Sequence, residues 1–363
     1  MPPLSVALYL ADQNPHRDRT LGITRATRAI ADAIHRDVAF TEVVSASSVR
    51  LPEGQAAQAV RLPFGTDGAL GRLGADLLHP ILARVSADVW FYPKGYVASA
   101  VPVGAPTLAL VHDTILDHYA RHHPGDRSAL AMAFWLRQLR TTLRRATRVA
   151  TISETARAQI EAFCARENIE PPPIDVIGAT TTFEHVPPQP GPVPFALHLG
   201  STAPHKRTAW LVEAWSALAA RREMPPLHIA GTVPEPVAAT FSALPHAVAH
   251  GRVSDAELTR LYREAAVVVV PSEIEGFGLP VLEGYASGTP VVYTADTAMA
   301  EVAQAATTVG AFALDPASLA GAVDDALALS LGAVEQIQHT LRDAFSADRL
   351  RSRVLASLRA TAR

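Results

Sequence analysis

Two glutamates, Glu275 and Glu283, stand eight residues apart in the stretch PSEIEGFGLPVLEG (271–284), with Gly-Phe-Gly-Leu-Pro between them. Gly276 and Gly278 permit tight turns and let a ligand come close to the backbone. Pro280 suits the first turn of a helix, where its missing N–H costs nothing. Amides near Phe277, Gly278 and Leu279 then point at an anion, and the helix dipole adds to the attraction. Glu275 falls just before that helix start and Glu283 one turn inside it, so both can accept hydrogen bonds from hydroxyls in one cleft. A ligand with hydroxyls at one end and phosphate at the other, a sugar nucleotide, suits this set. The plainer reading is a capping loop with two solvated glutamates; the glycine pattern after a four-valine run argues for the site.

A second group lies in HLGSTAPHKR (198–207). Gly200 ends an apolar run, where a backbone can turn close to a phosphate. Lys206 is one of two lysines, with Lys94, among 32 basic residues. A diphosphate leaving group gains negative charge as its bond breaks, and a fixed cation is worth more there than in the ground state. His205 and Arg207 flank it; the plainer reading of Lys206 is a surface residue at a helix start. In LVHD, His112 and Asp113 end a strand on the cleft side, as a sugar contact or as a strand-end histidine beside an N-cap aspartate. Ser153, after RVATI, is a helix cap whose hydroxyl can also face the cleft. Gly22, in LGITR (21–25), would let the backbone approach a phosphate or an acceptor. Residues 127–148 hold six arginines and no acid, beside Phe134 and Trp135. That pattern fits either a face for an anionic membrane or an arginine-biased helix with its apolar side in the core.

Alternating elements must position these residues. Strands are expected at 5–11, 87–93, 106–113, 148–153 and 173–178, with helices at 22–37, 127–146 and 154–168. Five prolines and a glycine in HVPPQPGPVP (185–194) form a linker. The alternation then resumes: strands at 195–201, 226–232, 265–271 and 289–295, helices at 208–222, 255–265 and 279–288, and a helical tail from 317. Ser254 with Glu257 predicts a capping box. This is an α/β chain of two doubly wound, Rossmann-like domains facing across a cleft, with ligands at the carboxyl ends of the strands.

The 363-residue length fits two domains, and a net charge of −3 argues against nucleic acid as a main partner. One cysteine fits a reducing compartment and, with scattered histidines, provides no zinc site. No apolar run is long enough to span a membrane, and the N-terminus reads as a first strand, not a signal peptide. A cytoplasmic location is expected, with peripheral contact at the inner face of the membrane as an extension. No Gly-x-Gly-x-x-Gly follows the first strand, no P-loop occurs, and no Asp-x-Asp marks a metal-dependent transferase.

PSEIEGFGLPVLEGYASGTPVV resembles the donor-site signature of the retaining glycosyltransferases of family 4, which have the GT-B fold. FALHLGSTAPHKRTAWLVEAW, PLHIAGT, HGRVSDAELTRLYREA, LVHDTILDHY, RVATISETARAQI and LGITRATRAI resemble further segments of that family in order. The nearest style is that of bacterial polysaccharide and lipopolysaccharide mannosyltransferases. The resemblance implies an acceptor domain at 1–186, a linker at 187–194, a nucleotide-sugar domain at 195–344 and a helix at 345–363 that packs back on the first domain. It implies transfer of a hexose from a nucleoside diphosphate sugar, with GDP-mannose or a related donor favoured, to a glycan or lipid-linked acceptor, without cofactor or metal. His112, Lys206 and Glu275 take catalytic roles. Gly22, Gly200, Ser201, Lys206, Arg207, Phe277, Gly278, Leu279 and Glu283 hold the donor, Glu283 through its ribose; Asp113 and Ser153 lie on the acceptor side. Retention implies front-side attack with the leaving phosphate taking the acceptor proton. The chain departs from the family at Ser201, where an arginine is usual, and at Leu21 and Thr24, where glycines are usual. Another GT-B enzyme, a phosphorylase or sugar-nucleotide epimerase, and a non-catalytic scaffold remain the alternatives.

Overall fold

The computed structural model describes residues 3–14, 21–63, 65, 66, 68–189 and 194–363. The chain divides into two compact units, one of Met1–Thr180 with Ser346–Arg363, the other of Thr181–Phe345. Part of the proline-rich linker, 190–193, lies outside the described residues.

In the first unit the elements run β1 (Leu4–Tyr9), α1 (Leu21–Ile34), β2 (Val38–Val44), β3 (Gln58–Arg61), α2 (Ala69–Ala83), β4 (Val89–Tyr92), β5 (Thr107–Leu110), α3 (Ile115–His122), α4 (Ala129–Arg145), β6 (Arg148–Thr151), α5 (Glu154–Arg166) and β7 (Ile174–Val176). The second unit carries β8 (Ala196–Gly200), α6 (Thr208–Ala219), β9 (Leu227–Gly231), α7 (Ala238–Ser242), β10 (Val248–Gly251), α8 (Asp255–Glu264), β11 (Val267–Val270), α9 (Leu279–Ala286), β12 (Val291–Thr294), α10 (Ala298–Ala303), β13 (Ala311–Phe312), α11 (Pro316–Leu327) and α12 (Leu331–Ala344). The last helix, α13 (Ala347–Thr361), belongs to the first unit, where it packs on α1, β5 and β6.

Both sheets are parallel throughout. The first has the order β3-β2-β1-β4-β5-β6-β7, the second β10-β9-β8-β11-β12-β13. Strand residues alternate between two buried faces. Ala7, Tyr9, Trp90, Tyr92 and Ala109 pack with Leu139 and Leu143 of α4 and Ile160 and Phe163 of α5, while the intervening Val6, Leu8 and Phe91 are equally buried on the other face. In the second unit Val267, Val269, Val292 and Ile229 pack with Leu211 and Trp215 of α6 and Val323 of α11. All four valines of β11 are buried, each contributing about 1.5–3 kcal/mol, which is why this run reads as a continuous apolar strand rather than an alternating one. Each sheet reverses its winding once, between β1 and β4 and between β8 and β11. Crevices beyond the carboxyl ends at such reversals are where open α/β sheets bind ligands.

Several elements depart from the sequence reading. Strands β2, β3, β10 and β13 and helices α2, α3, α7 and α10 are additional. β2 hides its strand pattern because Glu42 is buried, its carboxylate accepting from Leu51 N at 2.5 Å and Arg50 Nη2 at 3.0 Å. The capping box at α8 is half made: Ser254 Oγ accepts from Glu257 N at 3.2 Å, but the Glu257 carboxylate turns to Arg260. No single helix among the described residues is long and apolar enough to cross a membrane.

Candidate functional site

The reversal in the second unit brings together the loop after β8 and the loop after β11. Gly200 ends β8 opposite Gly231 of β9. A Cβ on Gly200 would lie 2.4 Å from Ile229 Cγ2 and 2.7 Å from Thr232 O, so the strands close here only through glycine. Beyond it, one relay fixes the turn. Ser201 N–H donates to Thr208 Oγ1 at 3.0 Å, His198 Nε2 and Thr208 Oγ1 are 2.9 Å apart, and His198 Nδ1 meets Val269 O at 2.9 Å. The Val269 carbonyl accepts only, so Nδ1 carries the proton and Nε2 accepts from the threonine. Burial, and then the Lys206 charge, hold the His198 pKa down at about 4, so the ring is a neutral strut at physiological pH.

Three contacts then stitch the loops. Glu273 N donates to His205 O at 2.9 Å. Arg207 Nε donates to Glu273 Oε2 at 3.0 Å. Lys206 Nζ donates to Glu275 Oε1 at 2.6 Å. The Glu275 side chain is 13% exposed and that of Lys206 31%. Burial pushes the Glu275 pKa up, but Lys206 and the neighbouring Ser272 hydroxyl outweigh it, and the net pKa is lowered. Glu275 is therefore ionised at neutral pH. Arg207 has φ of +52° at the start of α6, a conformation that disfavours a side-chain-bearing residue by about 1 kcal/mol; its ion pair and the helix that follows hold it there.

The next loop leads into α9. Gly278 has φ of +118°, and a Cβ on it would lie 2.8 Å from Met299 Cα of α10. No side chain caps the helix, which begins at Leu279 with Pro280 in its first turn. The Phe277 side chain is buried edge-to-face on Phe345, with ring centres 5.5 Å apart. Its ring is core, leaving its backbone to the site. Glu283 is 8% exposed and accepts from Tyr262 O–H at 3.0 Å. The two glutamates that opened the sequence reading thus have separate anchors, Lys206 on one and Tyr262 on the other.

Glycosyl transferases group 1 is the description of the family whose profile matches residues 194–328, the span that holds all of these contacts but the Phe345 ring. This segment is a group 1 glycosyl transferase domain, in a chain of GT-B fold. O-antigen chain mannosyltransferase B of Escherichia coli is 27% identical over 252 residues, covering 62% of this chain and 63% of that protein. The MMP alpha-(1->4)-mannosyltransferase of Mycolicibacterium hassiacum is 48% identical over 50 residues, 14% of this chain and 12% of that protein. The chain thus spans less than two thirds of the length of either curated relative. Among solved structures, HepE of Anabaena in complex with UDP-glucose superposes with a TM-score of 0.68 at 13% identity, covering 98% of this chain and 100% of that one. Sucrose-phosphate synthase of Thermosynechococcus elongatus gives 0.66 at 19%, covering 99% and 96%. At these identities the structural likeness is one of fold.

Other residues singled out from the sequence lie in the first unit. His112 Nε2 donates to Pro93 O at 2.8 Å. Burial lowers its pKa, against the opposing pull of that carbonyl and of Asp113. Asp113 Oδ1 accepts from Ile115 N at 2.9 Å, a turn that leads across Thr114 into α3. Ser153 is 1% exposed, and its hydroxyl caps α5 by accepting from Ala156 N at 2.9 Å. Gly22 lies in the first turn of α1, within the helix expected at 22–37, with open space where a Cβ would stand. On α4, Arg140 is committed to Glu167 at 2.7 Å, and Trp135 packs on Tyr96 rather than lying among exposed arginines. Sequence reasoning missed His198, Thr208, Glu273 and Tyr262. Thr208, directly after Lys-Arg at the mouth of a helix, carried a weak signal; the other three carried none.

Proposed function

We propose that the chain is a retaining glycosyltransferase that moves a hexose from a nucleoside diphosphate sugar to an acceptor hydroxyl, with a GDP-linked mannose or related sugar as donor. The observation that carries this reading is the arrangement at the carboxyl ends of β8 and β11, where Lys206 and Arg207 face Glu275 and Glu273. The diphosphate lies against Lys206 and Arg207, whose charge offsets the negative charge that develops on the leaving group. As the phosphate engages Lys206, the Glu275 carboxylate turns to the sugar hydroxyls. The first amides of α9 face the same anion, and Glu283, oriented by Tyr262, takes the ribose. The positive charge that faces the leaving group comes from the Lys206 and Arg207 side chains, without a metal or cofactor. The acceptor proton passes to the leaving phosphate, and no enzymic nucleophile is named. Mannosyltransferase names on both curated relatives support the sugar, and the O-antigen relative supports bacterial glycan assembly as the setting; the cytoplasmic face of the membrane is part of the proposal.

A melting-temperature panel with GDP, UDP, ADP and TDP and their sugars tests this. Binding to the folded state at a hundredfold excess over Kd stabilises it by about 2.7 kcal/mol. GDP or GDP-mannose is expected to raise the melting temperature, and the rise to shrink in Glu283→Ala and in its shape-conserving companion Glu283→Gln. A shift with UDP alone reassigns the donor. No shift with any nucleotide moves the chain to the non-catalytic reading, and turnover that needs free phosphate moves it to the phosphorylase reading.

A further inference from the structure

The sheet reversal of the first unit also carries a built cluster. Asp12 follows β1, Lys94 and Tyr96 follow β4, and His112 and Asp113 follow β5, the three strands at and beside that reversal. Lys94 is the other of the chain's two lysines. Its Nζ donates to Asp12 O at 2.7 Å, lies 3.9 Å from Asp12 Oδ2 and sits 5.6 Å from the centre of the Trp135 ring. Tyr96 packs on the same indole, with ring centres 5.1 Å apart. Both aromatic rings are half-buried.

The loop that presents Lys94 and Tyr96 is held at three places. Gly95 has φ of +83°, and a Cβ there would lie 2.7 Å from Leu110 O. His112 Nε2 donates to Pro93 O. Val97 N donates to the buried Thr142 Oγ1 of α4 at 3.1 Å, and α4 also carries Trp135. A short loop tied to both a strand and a helix fixes its side chains before any ligand arrives, as a binding site requires.

We infer that Asp12, Lys94, Tyr96 and Trp135 form a subsite for a neutral hexopyranose ring, the terminal sugar of the acceptor. An aromatic platform beside a few fixed polar groups is the composition that takes a sugar, whose C–H face lies on the ring and whose hydroxyls reach the carboxylate. Charge gives an anion no advantage: Lys94 is balanced by Asp12, and near Tyr96 the Asp113 carboxylate offsets Arg127. A phosphate here meets no net positive charge. Lys94 serves as the clamp that holds Asp12 and the indole in register, and Trp135 and Asp12 touch the sugar.

The word acceptor rests on the transferase reading; the sugar site does not. The test uses the full chain without nucleotide, titrated with methyl α-mannopyranoside, methyl α-glucopyranoside and α-linked mannobiose, followed by saturation-transfer NMR and tryptophan fluorescence. Glucose 6-phosphate is the anionic probe. Neutral glycosides are expected to bind in the millimolar range. Affinity should fall at least tenfold in Trp135→Ala and in Asp12→Asn and be largely kept in Trp135→Phe, with the nucleotide-induced melting shift unchanged in all three. Asp12→Asn keeps the side-chain volume and Trp135→Phe keeps an aromatic ring, so the result does not hang on the folding of Trp135→Ala. No glycoside binding by the wild type at tens of millimolar overturns the proposal. So do unchanged affinity in Asp12→Asn with Trp135→Ala, and binding of the sugar phosphate alone. Glycoside binding that depends on Trp135, without any nucleotide shift, overturns the transferase reading and leaves this site standing.

Discussion

Replacing Lys206 by methionine removes the cation and keeps most of the stem, so the loss falls on Glu275. In the wild type the two charged atoms are 2.6 Å apart, with the carboxylate side chain 13% exposed. At an effective dielectric of about 20 the gross attraction is roughly 6 kcal/mol, much of it offset by the desolvation of both groups. Removing one partner of a buried pair costs about 3–5 kcal/mol. Lys206 is nearly one-third exposed, so water reaches the carboxylate once the amine is gone, and we expect a loss of about 2–3 kcal/mol at pH 7.

The pH dependence fixes the cause. In the wild type the lowered pKa of Glu275 gives stability that is present above the ordinary carboxylate pKa of 4.5 and is lost as pH falls through the folded value. In Lys206→Met the upward push of burial, the largest influence on Glu275, is left opposed only by Ser272 and His205, and the sign is expected to reverse. The deficit is then largest at neutral pH and shrinks as acid protonates Glu275. The double variant Lys206→Met/Glu275→Gln, with no charge to strand, should recover at least half of the loss. Urea unfolding of the four proteins at pH 7 and pH 5, followed by fluorescence, measures both effects. A Lys206→Met deficit below about 0.5 kcal/mol, or one that simply adds to that of Glu275→Gln, refutes the reasoning, because contacts that share a partner must couple.

Further outcomes follow from the same geometry. His198 is 2% exposed with a pKa of about 4, so the stability it gives is complete above its unfolded pKa near 6.5 and falls by roughly 3 kcal/mol as the pH drops to 4; His198→Gln should flatten that part of an acid-unfolding profile. Gly278→Ala forces a left-handed backbone and a 2.8 Å contact with Met299 Cα, and should cost about 2 kcal/mol or more and abolish the nucleotide shift. Gly22→Ala, in a helix with open space at the Cβ position, should instead raise the melting point, by the equivalent of about 0.5–1 kcal/mol. If it destabilises, the helical assignment of that residue is wrong.

Legibility tracked the range of the interaction. The strands at β8, β9, β11 and β12 were readable because parallel strands covered on both faces become short apolar runs, and the Gly278–Leu279–Pro280 helix start was readable from local rules. β2 was not, because its alternation breaks at Glu42, whose burial depends on Arg50 and Leu51 in the loop beyond. Lys206 could be singled out by its rarity, yet nothing local tells that its partner is Glu275, 69 residues on. His198 was invisible for the same reason: its role is set by Thr208 and Val269, and one of those is 71 residues away.

The ion pairs at the β8–β11 reversal bear on how a donor is recognised. A cleft with bare cations would hold any phosphate, including inorganic phosphate and free nucleotides of every kind. Here Lys206 and Arg207 are each bound to a carboxylate, so a diphosphate must compete with Glu275 and Glu273. The displaced Glu275 then loses its partner unless the ligand supplies hydroxyl donors, and leaving a buried charge unpaired is costly. A ligand that brings both phosphate and a sugar satisfies both ends; one that brings phosphate alone strands the glutamate. For the proposed donor, selectivity for a sugar nucleotide over its bare nucleotide is the expected result of the exchange, and it should weaken in Glu275→Gln, where a neutral amide is stranded in place of a charge. Equal loss of affinity for nucleotide and sugar nucleotide in that variant would contradict the exchange.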